Sequence, residues 1–164
     1  MRHKIKPVPD KNDQVLSAIN QIPIFDTLKG EECRILIQHM GYFKAAAGDL
    51  LFEEGEDGDH VCFVVSGGLE VLKTVGEEKH VTIATLKKGR SFGEMAMIDK
   101  LKRSATVRAQ AETNILVMSR EQFEDILTKY PAMGIKILKG LAMMLSHNLR
   151  KTATRLADYM LPLG

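Results

Sequence analysis

The sequence predicts an α+β fold: an antiparallel β-roll, a double-stranded β-helix of jelly-roll type, flanked by N-terminal helices and one long C-terminal helix. Three observations predict it. Between Tyr42 and Met118, seven short runs of strand-forming residues recur at close spacing, divided by glycine-bearing turns. No long helix separates these runs, so the strands close on one another as a sandwich or barrel. On either side of this region, apolar residues recur at the spacing of amphipathic helices.

Residues 1 to about 11 are polar, carry Pro7 and Pro9, and read as a loose, flexible tail ahead of a single domain over 12–164. Helices are expected within 13–40, at 13–20 and 29–39. Thr27 is placed to cap the second helix, and Glu31 and Glu32 suit the positive end of its first turn. Cys33, Ile35, Leu36 and Met40 give it a buried stripe, and helical character stops at Gly41. Strands are expected at 42–46, 50–53, 60–65, 69–75, 79–85, 104–109 and 114–118, a roll spanning 42–118. Gly67-Gly68, between VCFVVS and LEVLKTV, carries the signature of a two-residue hairpin. Val64, Leu72, Ile83 and Val107 are expected to line the roll.

Helical pattern resumes over 119–160. Ser119 can cap REQFEDILTKY, with Phe123, Ile126 and Leu127 on one face, and Pro131 ends that helix and opens the next. From Met133 to Met160 there is no proline, and the segment reads as one helix. Ile135, Ala142, Leu149 and Leu156 share one heptad position; Leu138, Leu145, Thr152 and Tyr159 share the other. Such a seam pairs two copies in a parallel coiled coil, or packs the helix on its own roll. The pattern admits both, at different ends of the helix.

At 164 residues the chain is long enough for one domain with a well-buried core. A formal net charge of +2 gives no electrostatic reason to expect a nucleic acid or a membrane surface as partner. No apolar run of about 18 residues occurs, and MRHKIKPVPDKNDQ lacks the apolar centre of a secretory signal. A soluble, cytoplasmic protein is expected. Cys33 and Cys62 lie in apolar surroundings and read as reduced core residues. The five histidines show no metal-ligand spacing with each other or with either cysteine. No nucleophile elbow or Walker loop appears, and Glu56, Asp57 and Asp59 lack the ligand number of a calcium loop. Neither an enzyme nor a metal or cofactor site is expected.

The stretch SFGEMAMIDKLKRSATV, residues 91–107, breaks the strand series with a short helix beginning near Gly93. A helix start offers unpaired backbone N–H groups and partial positive charge, and Gly93 lets a ligand approach the backbone closely. Arg103 can fold back toward the same end, where its planar fork matches a phosphate bidentately, and Ser104 adds a hydroxyl. Glu94 would repel a phosphate alone. It fits a ligand that carries a hydroxyl donor beside its phosphate, as a ribose does. Phosphate plus ribose hydroxyl means a nucleotide.

These residues carry a resemblance. GRSFGEMAMIDKLKRSATVRA is similar to the phosphate-binding cassette of cyclic nucleotide-binding domains, found in catabolite activator proteins, protein kinase regulatory subunits and nucleotide-gated channels. GDLLFEEGEDGDHVCFVVSGGLEV resembles the glycine-punctuated start of their β-roll, and the likeness runs from Ile24 to Leu156. It implies that Gly93 and Glu94 meet the ribose, that Met95 and Ala96 offer backbone N–H groups, and that Arg103 and Ser104 take the cyclic phosphate. Phe92 and Ala105 complete the cassette. Lys102 departs from the pattern, since many members have proline there; this loosens the turn and removes no contact. The resemblance also implies a lid on the final helix, where Asn148 occupies the position that meets the purine in bacterial relatives, with Thr152 beside it. An amide can pair with the N6 and N7 edge of adenine. Asn148 read alone is equally an exposed polar position flanking the seam.

The expected function is therefore a sensor for a cyclic nucleotide, with cyclic AMP favoured and cyclic GMP possible at Ser104. The sensor would dimerise through its C-terminal helix and act on a separate effector protein. Family transcription factors continue past the long helix into a helix-turn-helix, whereas this sequence ends eight residues after Leu156, so no direct DNA binding is expected. The alternative is a dimerising interaction module on the same fold that no longer responds to nucleotide.

Overall fold

The structure, a computed structural model, describes residues 5–8, 12–76 and 79–160. A short strand β1 (Lys6–Pro7) and helix α1 (Asn12–Ile19) lead into a 3-10 turn at Pro23–Phe25 and helix α2 (Glu31–Gln38). The strands β2 (Gly41–Ala45), β3 (Leu50–Phe52), β4 (His60–Ser66), β5 (Gly68–Val75), β6 (Lys79–Lys87) and β7 (Ser91–Phe92) follow. Helix α3 (Glu94–Asp99) interrupts them before β8 (Thr106–Ala109) and β9 (Thr113–Ser119). Helices α4 (Arg120–Lys129) and α5 (Pro131–Met160) close the described chain. The strands form two antiparallel sheets, β1-β2-β9-β4-β7 and β3-β8-β5-β6, which face each other as a roll.

The continuous apolar runs of β4 and β9 exist because both faces of these strands are buried. Val61, Phe63, Leu116 and Met118 point to the helices, where they pack with Ile24, Phe25, Leu36, Phe123, Ile137 and Leu141. Cys62, Val64, Ile115 and Val117 alternate with them and fill the roll with Leu51, Phe52, Leu69, Phe92 and Val107. Each such large side chain contributes about 1.5–3 kcal/mol by leaving water. The central sheet thus bolts the helices to the roll. Both cysteines are free and buried, as expected.

Several sequence expectations are corrected. Thr27 does not cap α2: bonds from the Asp26 and Leu28 N–H groups back to Pro23 and Phe25 extend the 3-10 turn through Leu28. The helix starts only after Gly30, and Glu32 reaches back instead to the Lys29 N–H at 3.1 Å. Gly67-Gly68 is not a hairpin, because β4 and β5 belong to opposite sheets and the pair crosses between them. Ile83 does not line the roll. The register passes from Val71–Ala84 to Leu72–Thr82, leaving Ile83 as the extra residue of a bulge, half exposed on the edge strand β6. Lys6 and Pro7, inside the stretch read as a tail, pair with Lys44 and Phe43; residues 1–4 and 9–11 of that stretch lie outside the described residues. Strand β7, at only two residues, has too little sequence for a period to show.

The two expected C-terminal helices are present. Ser119 caps α4 in a full capping box with Gln122, and Pro131 opens α5. Met133, Gly134, Ile137, Gly140 and Leu141 bury one face of α5. At Gly140 a Cβ would lie 2.4 Å from the Ile24 carbonyl oxygen, so glycine lets the helix backbone rest directly on the 3-10 turn. The heptad residues Ile135, Leu138, Leu149 and Leu156 lie on another face and stay exposed.

Candidate functional site

The site grows from a left-handed residue. Gly93, at φ 81°, turns β7 into α3, and a side chain there would meet Arg103 Nη1 at 2.5 Å. Glycine is therefore required both by the turn and by the guanidinium behind it. The turn buries Glu94, Ala96 and Met97 and leaves Met95 exposed.

Arg103 is 3% exposed. Its Nη1 donates to the Gly93 carbonyl and its Nη2 to the His60 carbonyl, both at 2.9 Å. The guanidinium lies 4.1 Å from the centroid of the Phe52 ring. Its buried Nε has no hydrogen-bond partner, and neither has Oε2 of Glu94, a residue 8% exposed. Burial pushes the Glu94 carboxyl above the usual carboxylate range, against the pull of its own backbone N–H and of Arg103. Burial likewise lowers the Arg103 guanidinium from its ordinary value. A buried cation held by carbonyls and a ring, with no carboxylate in an ion pair among the described residues, is a ready receptor for an anion.

The arm that carries Arg103 is anchored on every side. Its N–H donates to the Glu56 carbonyl at 2.8 Å, and its carbonyl accepts from Gly55 at 2.9 Å. Lys102 bridges to Asp57 and donates to the Gly55 carbonyl at 3.1 Å. The lysine that replaces the expected proline therefore holds the arm by backbone pairing and an added side-chain bond. Lys73 donates to the Ser104 carbonyl at 2.8 Å and is paired with Glu54. From the other side, Arg120 at the start of α4 donates to the carbonyls of Gly58, Ala96 and Met97, tying α3 to the C-terminal helices.

These residues enclose a cavity of about 180 Å³ lined by Phe92, Gly93, Glu94, Met95 and Ala96 from one side. Arg103, Ser104, Ala105 and Val107 line it from the other, and Asn148 reaches it from α5. It adjoins a larger cleft of about 550 Å³ beneath α5, lined by Leu86, Arg90, Ser91, His147, Asn148 and Thr152 among others. The structure thus gathers every cassette residue the sequence singled out around one cavity; Asn148 lines both spaces and Thr152 only the cleft. Phe52, the ring under the guanidinium, and Arg120, the tie to α4, were missed. Each acts from a distant strand or helix, so no local spacing reveals it.

The profile of the cyclic nucleotide-binding domain family matches residues 42–130. The chain belongs to that family. It is 29% identical over 109 residues to a cAMP-dependent protein kinase regulatory subunit of Emericella nidulans, covering 66% of this chain and 26% of that protein. It is 28% identical over 129 residues to the cyclic AMP receptor protein of Thermus thermophilus, covering 79% of this chain and 58% of that protein. The chain thus spans under two thirds of the length of either relative. The solved structure of a cyclic nucleotide-binding domain from Methylobacillus flagellatus KT superposes with a TM-score of 0.85 at 29% identity, over 96% of this chain and 90% of that one. Among the described residues, no helix is long and apolar enough to cross a membrane, and no group of three metal-ligating side chains gathers.

Proposed function

We propose that this cyclic nucleotide-binding domain is a cyclic AMP sensor whose C-terminal helix carries both its lid and its dimer seam. The carrying observation is the opposed pair at the cavity: a buried guanidinium and a buried carboxylate, each with an unpartnered atom. Arg103 receives the single negative charge of the cyclic phosphate, and Glu94 accepts the ribose 2′-hydroxyl. Ligand clefts typically measure about 300–1,000 Å³. A cavity of about 180 Å³ accommodates the sugar phosphate only, so the base extends under α5 toward Asn148 and Thr152. The amide of Asn148 matches the adenine edge. The module works by binding rather than by catalysis.

The exposed face of α5 supports the dimer. Leu149 is 71% and Leu156 58% exposed, in heptad register with Ile135 and Leu138. A second copy in parallel would cover them.

The second reading, a dimerising module insensitive to nucleotide, draws on one observation: both Nη atoms of Arg103 are already engaged by carbonyls. Titration calorimetry of the chain with cyclic AMP and cyclic GMP separates the two. Saturable binding of one nucleotide per chain, tighter for cyclic AMP, is expected; no heat with either nucleotide would establish the second reading.

A further inference from the structure

His60 is a buried ionisable group beside the cavity that the reading above leaves without a task. It is 7% exposed, and its Nδ1 lies 2.6 Å from Asp59 Oδ1. The carboxylate accepts, so Nδ1 carries the ring proton, and the basic atom is Nε2. That atom is buried without a hydrogen-bond partner. The imidazole stands edge-on to Phe52, with centroids 6.3 Å apart, and the same phenyl ring carries the Arg103 guanidinium. The His60 carbonyl also accepts from Arg103 Nη2. Imidazole and guanidinium thus share one aromatic ring and one backbone carbonyl, with little room for water to screen them.

We propose that binding of an anionic ligand at Arg103 is coupled to uptake of a solvent proton by His60 Nε2, so that affinity rises as pH falls. The inference rests on the reading of the cavity as a cyclic-phosphate site. In the absence of an anion, burial and the Arg103 charge both hold the ring below the ordinary histidine range, with Asp59 alone pulling upward. A phosphate at Arg103 cancels one of the two opposing effects while leaving Asp59 in place. Among the described residues, the other charges around the ring are engaged elsewhere. Glu94 and Glu56 act on Arg103, and Arg120 is held at the Gly58 carbonyl. The Cys62 thiol, pushed up to about 12 by burial, stays neutral. Glu94 works in the opposite direction, because a ligand hydroxyl favours its ionised form and releases a proton.

The test must therefore isolate His60 from Glu94. Histidine ring resonances of the whole isotope-labelled chain, assigned with His60→Gln, are titrated with pH with and without saturating cyclic AMP. The His60 midpoint is expected to move upward on binding. A one-unit move would give at most about a tenfold rise in affinity across the titration, since each unit is a factor of ten. Calorimetry of wild type in two buffers of different ionisation heat should show more proton uptake than His60→Gln shows. An unchanged His60 midpoint at saturation overturns the coupling and leaves the site reading intact. Absence of cyclic nucleotide binding at every pH, with no ligand-dependent change in the cassette amides, overturns both.

Discussion

Arg103 and Asn148 line the same cavity, yet they are held in opposite ways. Arg103 is 3% exposed, fixed by two carbonyls and a ring, on an arm pinned by the Gly55–Asp57 turn and Lys73. Asn148 stands on the stretch of α5 past Leu145, where every described residue through Met160 is exposed. The cassette is therefore preorganised, whereas the lid of the proposed function rests on an exposed stretch of helix. Preorganised contacts bind without an ordering penalty, whereas a lid that must close sets aside part of its contact energy for closure. Under the proposed function, the difference gives recognition of charge to the cassette and response to the helix.

The largest effect should come from breaking the preorganised side. A charge-assisted hydrogen bond contributes about 1.5–3 kcal/mol, and about 1.4 kcal/mol is tenfold in affinity. Arg103→Ala is expected to weaken cyclic AMP binding at least about ten- to hundredfold by calorimetry. Arg103→Lys should restore only part of it, because an ammonium cannot make the planar two-point contact. Wild-type affinity in Arg103→Ala would mean that the buried guanidinium is purely structural.

The same contrast governs what could be read in advance. The cassette was legible because glycine, carboxylate and guanidinium at fixed spacing have few other uses, and its likeness to a family covers the whole stretch. The sheets were legible as strands but not as a topology. Gly67-Gly68 looks like a hairpin locally, and only the pairing of β4 with β9 and of β5 with β8 makes it a crossover. Ile83 shows the same limit. A single bulge shifts its side chain out of the roll, and a period-two pattern contains no sign of the extra residue. Phe52 and Arg120 join the site through tertiary contacts alone. The α5 seam was legible as a pattern whose partner the pattern does not contain.

Two changes probe the unfixed side. Leu149→Glu with Leu156→Glu places charges in the exposed seam and should shift the chain from dimer to monomer by sedimentation, with the roll unchanged in its circular dichroism. A variant that sediments like wild type would remove α5 as the dimer seam. Among the described residues, removal from Asn148 onward takes away only exposed side chains, so thermal stability of the roll should change little. Affinity for cyclic AMP should fall by about tenfold, the contribution of one or two good contacts. Equal affinity in the folded truncation would leave the lid without a role.

Glu94 sharpens the comparison within the cassette. Glu94→Gln should weaken cyclic AMP by about tenfold, the lower end of a charge-assisted bond. It should matter far less for the 2′-deoxy analogue, which lacks the donor. Equal losses for both ligands would make Glu94 a structural residue and not a ribose contact.

The smallest effect is on the unliganded protein, and it follows from the two buried titratable side chains beside Arg103. The folded state raises the Glu94 carboxyl, chiefly through burial, so the native chain holds that proton more tightly than the unfolded chain does. Its contribution is present below the ordinary value of 4.5 and is lost as pH rises from there through the raised one. His60 is depressed, again chiefly by burial, so its contribution is present above 6.5 and is lost as pH falls below it. Between these two ordinary values the slopes oppose each other, so the wild-type midpoint should vary less with pH than that of the steeper single variant. Each substitution should unmask the other group. Thermal midpoints of Glu94→Gln should fall on acidification across this window, and those of His60→Gln should fall on alkalinisation. At this chain length about 1 kcal/mol corresponds to roughly 2–4 °C, so the divergence is within reach of scanning calorimetry. Parallel curves for the two variants would mean that neither side chain titrates differently in the folded chain, and that the orphaned atoms are hydrated rather than held for a ligand.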